Sequence, residues 1–483
     1  MNRSAARIFE VYVFVYAALF ASRPLSDGDF WWHLKTGEFI VKTNSIPRTD
    51  FFSFTNYGKP WVAHEWLSEV VFYTIYSRLG FNALILIFAV VTALAFWIAL
   101  KRSTAHPFIS GSAALLGVWG VLPTVGVRPR AFTLLLASVY LAILGRYART
   151  GEGRAIWWLV PLMALWVNLH GGFLIGLVLI VLTIVGSILD AWVARESVRP
   201  LLPRLRQLSL VLVGAALAGC LNPHGWRIYL FPFEIFFSPI QQREVTDWLS
   251  PNFQQPELLP LVLLILVTIA ALALSPRRPR CSELLFFLST LYATLKSNRH
   301  MAIFALVAVP LMAEYLQSWI SSTPLAKAFS KPTSAPASRR EVFISLVLLL
   351  PLLLFANRLR TTAFSAPQQT MIQVPLQAVD YLKKNQVTGN TFSDPNIWGG
   401  YVIWALPNNP VYIDGRIDMY GDAFVKEYID IIRGKIDWRK PFDRYAVKLA
   451  IVNTKSMLSR EMQASPDWQM LYQDEMAMVF ERR

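Results

Sequence analysis

The chain has 483 residues, of which 54% are apolar and 16% charged, well below the roughly 25% charged residues of a typical soluble domain. Its formal charge is +15, yet residues 366–483 carry 14 cations and 14 anions, so the excess belongs to residues 1–365, with 32 cations and 17 anions. Those cations cluster in short links between apolar runs, which is a membrane pattern and excludes a nucleic-acid partner. Two cysteines, Cys220 and Cys281, are too few for a disulfide framework.

A hydrocarbon core of about 30 Å takes roughly 17 to 25 apolar residues per helix. Eleven runs meet this, near 5–22, 81–100, 107–124, 131–147, 154–169, 172–193, 206–221, 257–275, 281–297, 300–320 and 341–356. The segment 65–79 is apolar on one side but carries Glu65, Glu69 and Arg78, so it reads as an amphipathic helix at the interface. Alternating the spans puts 18 Lys and Arg in six links on one side, and the positive-inside rule makes that side cytoplasmic. Cys220 and Cys281 then lie at opposite ends of neighbouring helices, about 30 Å apart, too far to pair.

The other face receives five of the six histidines, His33, His64, His170, His224 and His300. It also receives the turn Arg128-Pro129-Arg130 and the chain after the last span. Polar residues that merely ended helices would be spread over both faces, so the outer face reads as the working surface. Headgroup-depth Trp and His are the plainer explanation for any single one of these residues.

The first outer loop opens Asp27-Gly28-Asp29-Phe30-Trp31-Trp32-His33. Gly28 leaves the backbone able to turn both carboxylates toward one cation or one substrate. A helix starting near Asp29 places His33 on the same face, and the competing reading is that Asp27 or Asp29 simply caps that helix. Further along, His64-Glu65 sets a titratable base and acid at a helix start, where a structural ion pair is the alternative. Asn168-Leu169-His170-Gly171-Gly172 closes one span with a tight turn, and the loop 222–256 holds His224 and Asp247, with an apolar stretch at 228–237 suited to the interface.

In the position of its acidic motif just after the first span, and in its soluble tail, the chain resembles the GT-C superfamily of integral membrane glycosyltransferases, which use polyprenyl-phosphate-linked sugars. The wider pattern around Trp32-His33 and Trp61-Val-x-His64-Glu65-Trp66-Leu67 looks like a bacterial branch of GT-C-like proteins. The Trp-Trp-Asp-Tyr-Gly signature of oligosaccharyltransferases is absent. The resemblance implies a catalytic acid at Asp27-Gly28-Asp29, with Asp29 as general base and Asp27 as its partner; His64 and Glu65 complete the catalytic candidates. Arg128, Arg130 and Arg299 suit the donor phosphate, because guanidinium meets phosphate oxygens bidentately and stays charged at this depth. His33, His170, His224 and His300 are the further substrate-binding candidates. The cofactor is left open, with a divalent metal ion held by Asp27 and Asp29 as the candidate.

Residues 366–483 read as one small α/β unit: helices at 375–384, 398–406, 422–432 and 457–462, strands near 391, at 411–413 and 449–452, and a terminal hairpin from 470–472 and 476–480. The expected fold is therefore a mainly α, polytopic membrane bundle of about 11 spans with a C-terminal extracytoplasmic α/β domain. Its domains are 1–365, which includes the first outer loop 23–80, and 366–483. The expected function is inverting transfer of a hexose or pentose from a polyprenyl-phosphate donor to a glycan, lipid or protein acceptor, at the outer face of a bacterial cytoplasmic membrane. A transporter or flippase of a lipid-linked substrate is the alternative; repeat symmetry and charged midplane helices, which transporters favour, are not seen in the sequence.

Overall fold

The structure is a computed structural model that describes residues 3–25, 27–151, 153–327, 329 and 374–483. The eleventh apolar run, 341–356, lies outside the described residues. The other ten coincide with helices: α1 Arg3–Ala21, α3 Trp66–Lys101, α4 Pro107–Val121, α5 Arg130–Thr150, α6 Leu159–Leu169, α7 Leu174–Val193, α8 Leu202–Ala218, α11 Leu259–Leu274, α12 Cys281–Lys296 and α13 Met301–Ser321. Between them lie α2 Phe30–Thr43, α9 Phe231–Phe237 and α10 Pro239–Glu244. Seven of the described helices are long and apolar enough to cross a membrane.

Helix α3 joins two of the predicted segments. Gly80 breaks it, with φ 79° and ψ −176°, a conformation that glycine reaches without the steric cost other residues meet. The amphipathic part therefore ends at Leu79, as its charges suggest, and the apolar span starts afresh at Phe81.

The chain divides into two compact units. The membrane unit comprises the described parts of Met1–Arg23, Asn82–Ile228 and Thr246–Ser365. Its central element is α13, whose residues from Ile303 to Ala313 are all buried. It packs against α4, α11 and α12. Cys220 and Cys281 are both free thiols.

The second unit gathers Pro24–Phe81, Tyr229–Val245 and the described part of Ala366–Arg483, so the first outer loop shares a unit with the C-terminal segment. It is built on a four-stranded sheet of β1 Thr391–Asp394, β2 Leu449–Asn453, β3 Trp468–Gln473 and β4 Ala477–Arg482, in the spatial order β1-β2-β4-β3. β1 and β2 are parallel; β4 is antiparallel to both β2 and β3, and β3 with β4 forms the expected hairpin. The helices expected in the tail are present at Leu376–Lys384, Ile397–Ala405, Asp422–Ile432 and Met457–Gln463. Short helices Ile417–Tyr420 and Arg439–Arg444, which have no clear apolar period, add to them.

The strand expected at 411–413 is reduced to isolated bridges. Val411 bridges Thr391 on one side and Ser53 on the other. Its N–H donates to Phe52 O (3.1 Å) and its carbonyl accepts from Phe54 N (3.1 Å), while Thr55 donates to Tyr412 O (2.6 Å). The partner on the outer side is the first loop, so local alternation in the tail could not reveal this pairing. The loop also adds Phe54 to the aromatic core of Phe392, Tyr412, Trp438, Phe442 and Phe480.

Candidate active site

In the second unit, Asp27-Gly28-Asp29 forms the turn that launches α2. Asp27 Oδ1 accepts from the Asp29 N–H (3.2 Å), an Asx turn that holds the helix entry. Asp29 stands at the N-cap position but makes no side-chain cap hydrogen bond. Its Oδ1 instead accepts from Trp32 Nε1 (3.2 Å). The tail reaches this carboxylate at Gly415, where a Cβ would lie 1.6 Å from Asp29 Oδ1. Glycine is the residue that fits there.

One turn along α2, His33 is buried, its side chain 5% exposed. Its Nδ1 lies 3.2 Å from Glu69 Oε1 and its Nε2 3.5 Å from Glu65 Oε2. Both ring nitrogens thus face carboxylates, the geometry of an imidazolium donating on each side. Glu65 in turn lies 3.4 Å from His64 Nε2, so Glu69, His33, Glu65 and His64 form one chain of titratable groups. Sequence spacing brought His33 beside Asp29 and His64 beside Glu65; it missed Glu69 as the fourth member. The signal was there, since Glu65 and Glu69 are four apart and share a helix face.

Burial disfavours the charged form of His33, but its hydrogen bond to Glu69 and the negative charges of Glu65, Glu69 and Asp29 outweigh that and raise its pKa above the usual histidine value. A raised folded-state value means that the group adds stability below the unfolded pKa of about 6.5, and that this is lost as pH rises through the folded value. Thermal melting of the purified chain between pH 6 and 9 is therefore expected to fall more steeply for wild type than for His33→Gln. Parallel curves would show that His33 does not titrate between these carboxylates.

Behind this chain is a second charged cluster that sequence reading did not assemble. Arg416 is 1% exposed, donates to Asp414 through Nε (2.8 Å) and Nη2 (2.6 Å), and pairs with Asp50 through Nη2 (2.9 Å). Tyr420 donates to the same Asp414 (2.8 Å). The guanidinium also lies over Trp61 and Phe52, 4.5 and 5.0 Å from the ring centres, within cation–π range. Although burial opposes ionisation of Asp414, the Arg416 charge and hydrogen bonds hold its carboxyl below the usual range, and Asp414 likewise raises Arg416. The first loop and the tail are thus pinned together beside Asp29.

The membrane unit brings the three nominated arginines to one segment. Arg130 Nη1 donates to Asp247 Oδ2 (3.0 Å), Arg128 Nη1 lies 4.0 Å from Asp247 Oδ1, and the Arg299 guanidinium lies 4.9 Å over the Trp248 ring. Ser297 and Asn298 tie the Arg299 turn to the backbone of Asp247 and Thr246 (2.8 and 3.0 Å). Two cations therefore face one carboxylate, with the third over the adjoining Trp248 ring. His300 precedes α13 at its N-cap position, its Nδ1 buried without a hydrogen-bond partner among the described residues.

His170 sits elsewhere in this unit. Its Nδ1 accepts from the Gly172 N–H (2.9 Å) and pairs with Thr133 Oγ1 (2.8 Å), which also accepts from Trp166 Nε1 (2.7 Å). It caps the turn Gly171–Phe173. The backbone N–H of His224 donates to Asn222 Oδ1 (3.0 Å), and Asn222 in turn bonds Val167 O and Asn168, so the loops carrying the two histidines are joined.

Among the described residues no group of three or more His, Cys, Asp or Glu side chains is placed to hold a metal ion. Asp27 and Asp29 supply two carboxylates without a third protein ligand of this kind, and one oxygen of Asp27 is engaged in the turn.

No family model matches the sequence, and no curated protein sequence matches it. Solved structures do. The oligosaccharyltransferase AglB of Archaeoglobus fulgidus, in complex with an inhibitory peptide and a dolichol-phosphate, superposes with a TM-score of 0.58 at 13% identity over 92% of this chain and 69% of that one. ArnT from Cupriavidus metallidurans gives 0.53 at 12% identity in the apo state, over 98% of this chain and 96% of that one. Its complex with undecaprenyl phosphate gives 0.50 at 13% identity, over 98% and 97%. At these identities the likeness is one of fold: this chain shares the fold of the oligosaccharyltransferase AglB and of ArnT.

Proposed function

We propose that this chain is a glycosyltransferase that moves a sugar from a polyprenyl-phosphate-linked donor to a glycan, lipid or protein acceptor, with inversion, at the outer face of a bacterial cytoplasmic membrane. The observation that carries the reading is Asp29: a carboxylate at the acidic motif after the first helix, not spent on capping, oriented by Trp32 and given room by Gly415. Asp29 accepts the proton of the acceptor hydroxyl as its oxygen attacks the anomeric carbon from the side opposite the phosphate. The bond from that carbon to the phosphate oxygen breaks, its electron pair stays on the phosphate, and polyprenyl phosphate leaves.

Arg128, Arg130 and Arg299 are assigned to the donor phosphate, where preorganised cations act on charge that develops in the transition state. His224 and His300 are assigned to substrate contact, and His170 to the turn it caps. Asp27, His33, Glu65 and His64 act through Asp29 by setting the turn and the surrounding charge. With two carboxylates and no third ligand at Asp27 and Asp29, no step is routed through a divalent metal. A transfer rate that falls on treatment with a chelator and returns with added Mg²⁺ would restore the metal to the scheme. The complexes of the two neighbours with dolichol-phosphate and undecaprenyl phosphate support the choice of lipid carrier.

Undecaprenyl phosphate is expected to bind the purified chain saturably. Arg128→Gln with Arg130→Gln should weaken it about ten-fold or more, the scale of a lost charged hydrogen bond. Unchanged affinity would remove the arginines from the donor site. Movement of the lipid across vesicles with no sugar transfer would replace the enzyme by a transporter. The orientation is checked by a reporter fused after Arg483, expected to be active only outside the cytoplasm; activity inside would reverse the faces.

A further inference from the structure

At the end of the membrane unit where the links 101–106, 146–154 and 275–281 meet, α5, α7, α12 and α13 enclose a cavity of about 350 Å³. These links are rich in arginine and lie remote in sequence from every residue given a role in transfer. Four arginines line the cavity, Arg102, Arg149, Arg277 and Arg280, together with Asp190, Glu283 and Glu314.

The carboxylates are already engaged. Glu283 pairs with Arg277 (2.6 Å) and Arg280 (3.4 Å) and accepts from Tyr315 (2.7 Å). Glu314 pairs with Arg277 (3.0 Å), and Asp190 accepts from Ser282 N and Oγ (3.0 and 2.5 Å). That accounts for Arg277 and Arg280. Among the described residues, Arg102 and Arg149 form no ion pair with a carboxylate; both line the cavity.

Arg102 is held in place by a backbone defect. Pro310 lies inside α13; it has no N–H and leaves the carbonyl four residues earlier without its helical donor. That carbonyl belongs to Leu306, and Arg102 Nη1 donates to it at 2.8 Å. The bond uses one of five guanidinium N–H donors and fixes the cation at the cavity wall. The remaining walls include Leu144, Phe286 and Leu311, so a charged end adjoins an apolar one.

We propose that this cavity is a binding site for a phosphate-bearing anion, with Arg102 and Arg149 as the paired recognition groups. Guanidinium suits phosphate for its planar bidentate geometry, and both arginines line the same cavity. The phosphate could be that of a lipid headgroup, whose chains the apolar wall would take, or a free phosphate, and the experiment separates the two. Neither the residues nor the readout involve sugar transfer, so failure here leaves the proposed function standing, and the reverse.

The test titrates the purified full chain with dioctanoyl phosphatidic acid, dioctanoylglycerol and inorganic phosphate. Phosphatidic acid is expected to bind and dioctanoylglycerol is not. Arg149→Gln should weaken phosphatidic acid about ten-fold or more, the effect of losing a charged hydrogen bond; Arg149 is exposed, so the variant keeps the fold. If inorganic phosphate competes at concentrations similar to those of phosphatidic acid, the site takes the free ion; if it competes poorly, the lipid-borne phosphate is the ligand. Both outcomes support an anion site. Equal affinity of wild type, Arg149→Gln and Arg102→Lys for phosphatidic acid, equal binding of dioctanoylglycerol, or no binding at all would overturn it.

Discussion

Asp29→Asn is expected to lower sugar transfer by about 10²- to 10⁴-fold, the usual contribution of a general base, with little change in melting temperature. The amide keeps the size of the carboxylate and its oxygen still accepts from Trp32 Nε1, but it cannot take up a proton. Because Asp29 makes no cap bond to α2, the variant loses no helix-entry contact. Asp27→Asn keeps an acceptor for the Asp29 N–H and should cost far less. Gly415→Ala supplies an independent check. Its Cβ would collide with Asp29 Oδ1, so transfer should fall although position 415 carries no reactive group. Parent-rate transfer by Asp29→Asn, together with its loss in Glu65→Gln, would move the base to the pair His64 and Glu65.

The membrane helices and most of the tail were legible because their signals are local. Apolar length locates α4, α7 and α13 within a few residues, and the charged amphipathic stretch before Gly80 separates correctly from the span that follows it. Asp29 and His33 were also legible, being one helical turn apart. What the sequence hid is pairing at long range. Val411 looks like a strand residue, yet its outer neighbour is Ser53 from the first loop. Asp50 reads as one more polar residue in an aromatic loop, and Asp414-Gly415-Arg416 reads as a turn, until folding sets both carboxylates on one guanidinium. Glu69 reads as the polar side of an amphipathic helix, and its role becomes visible only when α2 delivers His33 to it. Asp27 and Asp29 read as competing candidates for one cap; in the structure Asp27 makes the turn bond, while Asp29 stands at the N-cap position without a side-chain cap bond.

The largest effect on stability is expected at Arg416. Replacing it by methionine removes the cation from between Asp50 and Asp414, two carboxylates with 0% side-chain exposure. Removing one partner of a buried ion pair typically costs about 3–5 kcal/mol, because the remaining charge is left uncompensated. Asp50 retains its donors from Phe52 N, Ser53 N and Ser53 Oγ, whereas Asp414 keeps only Tyr420 and the backbone N–H of residue 416, so Asp414 should be the more strained of the two. Adding Asp414→Asn to Arg416→Met is therefore expected to restore part of the lost stability, while Arg416→Lys, which loses the bidentate bond and the flat contact with Trp61, should fall between wild type and methionine. Thermal unfolding of the four proteins gives the order directly. Should Arg416→Met melt with wild type, the cluster would be a neutral feature of packing and the pin between first loop and tail would have to be sought in the Val411 bridges. Should it melt early but transfer sugar at the parent rate below its melting point, the cluster would hold the loop to the tail without setting the wall that Gly415 presents to Asp29.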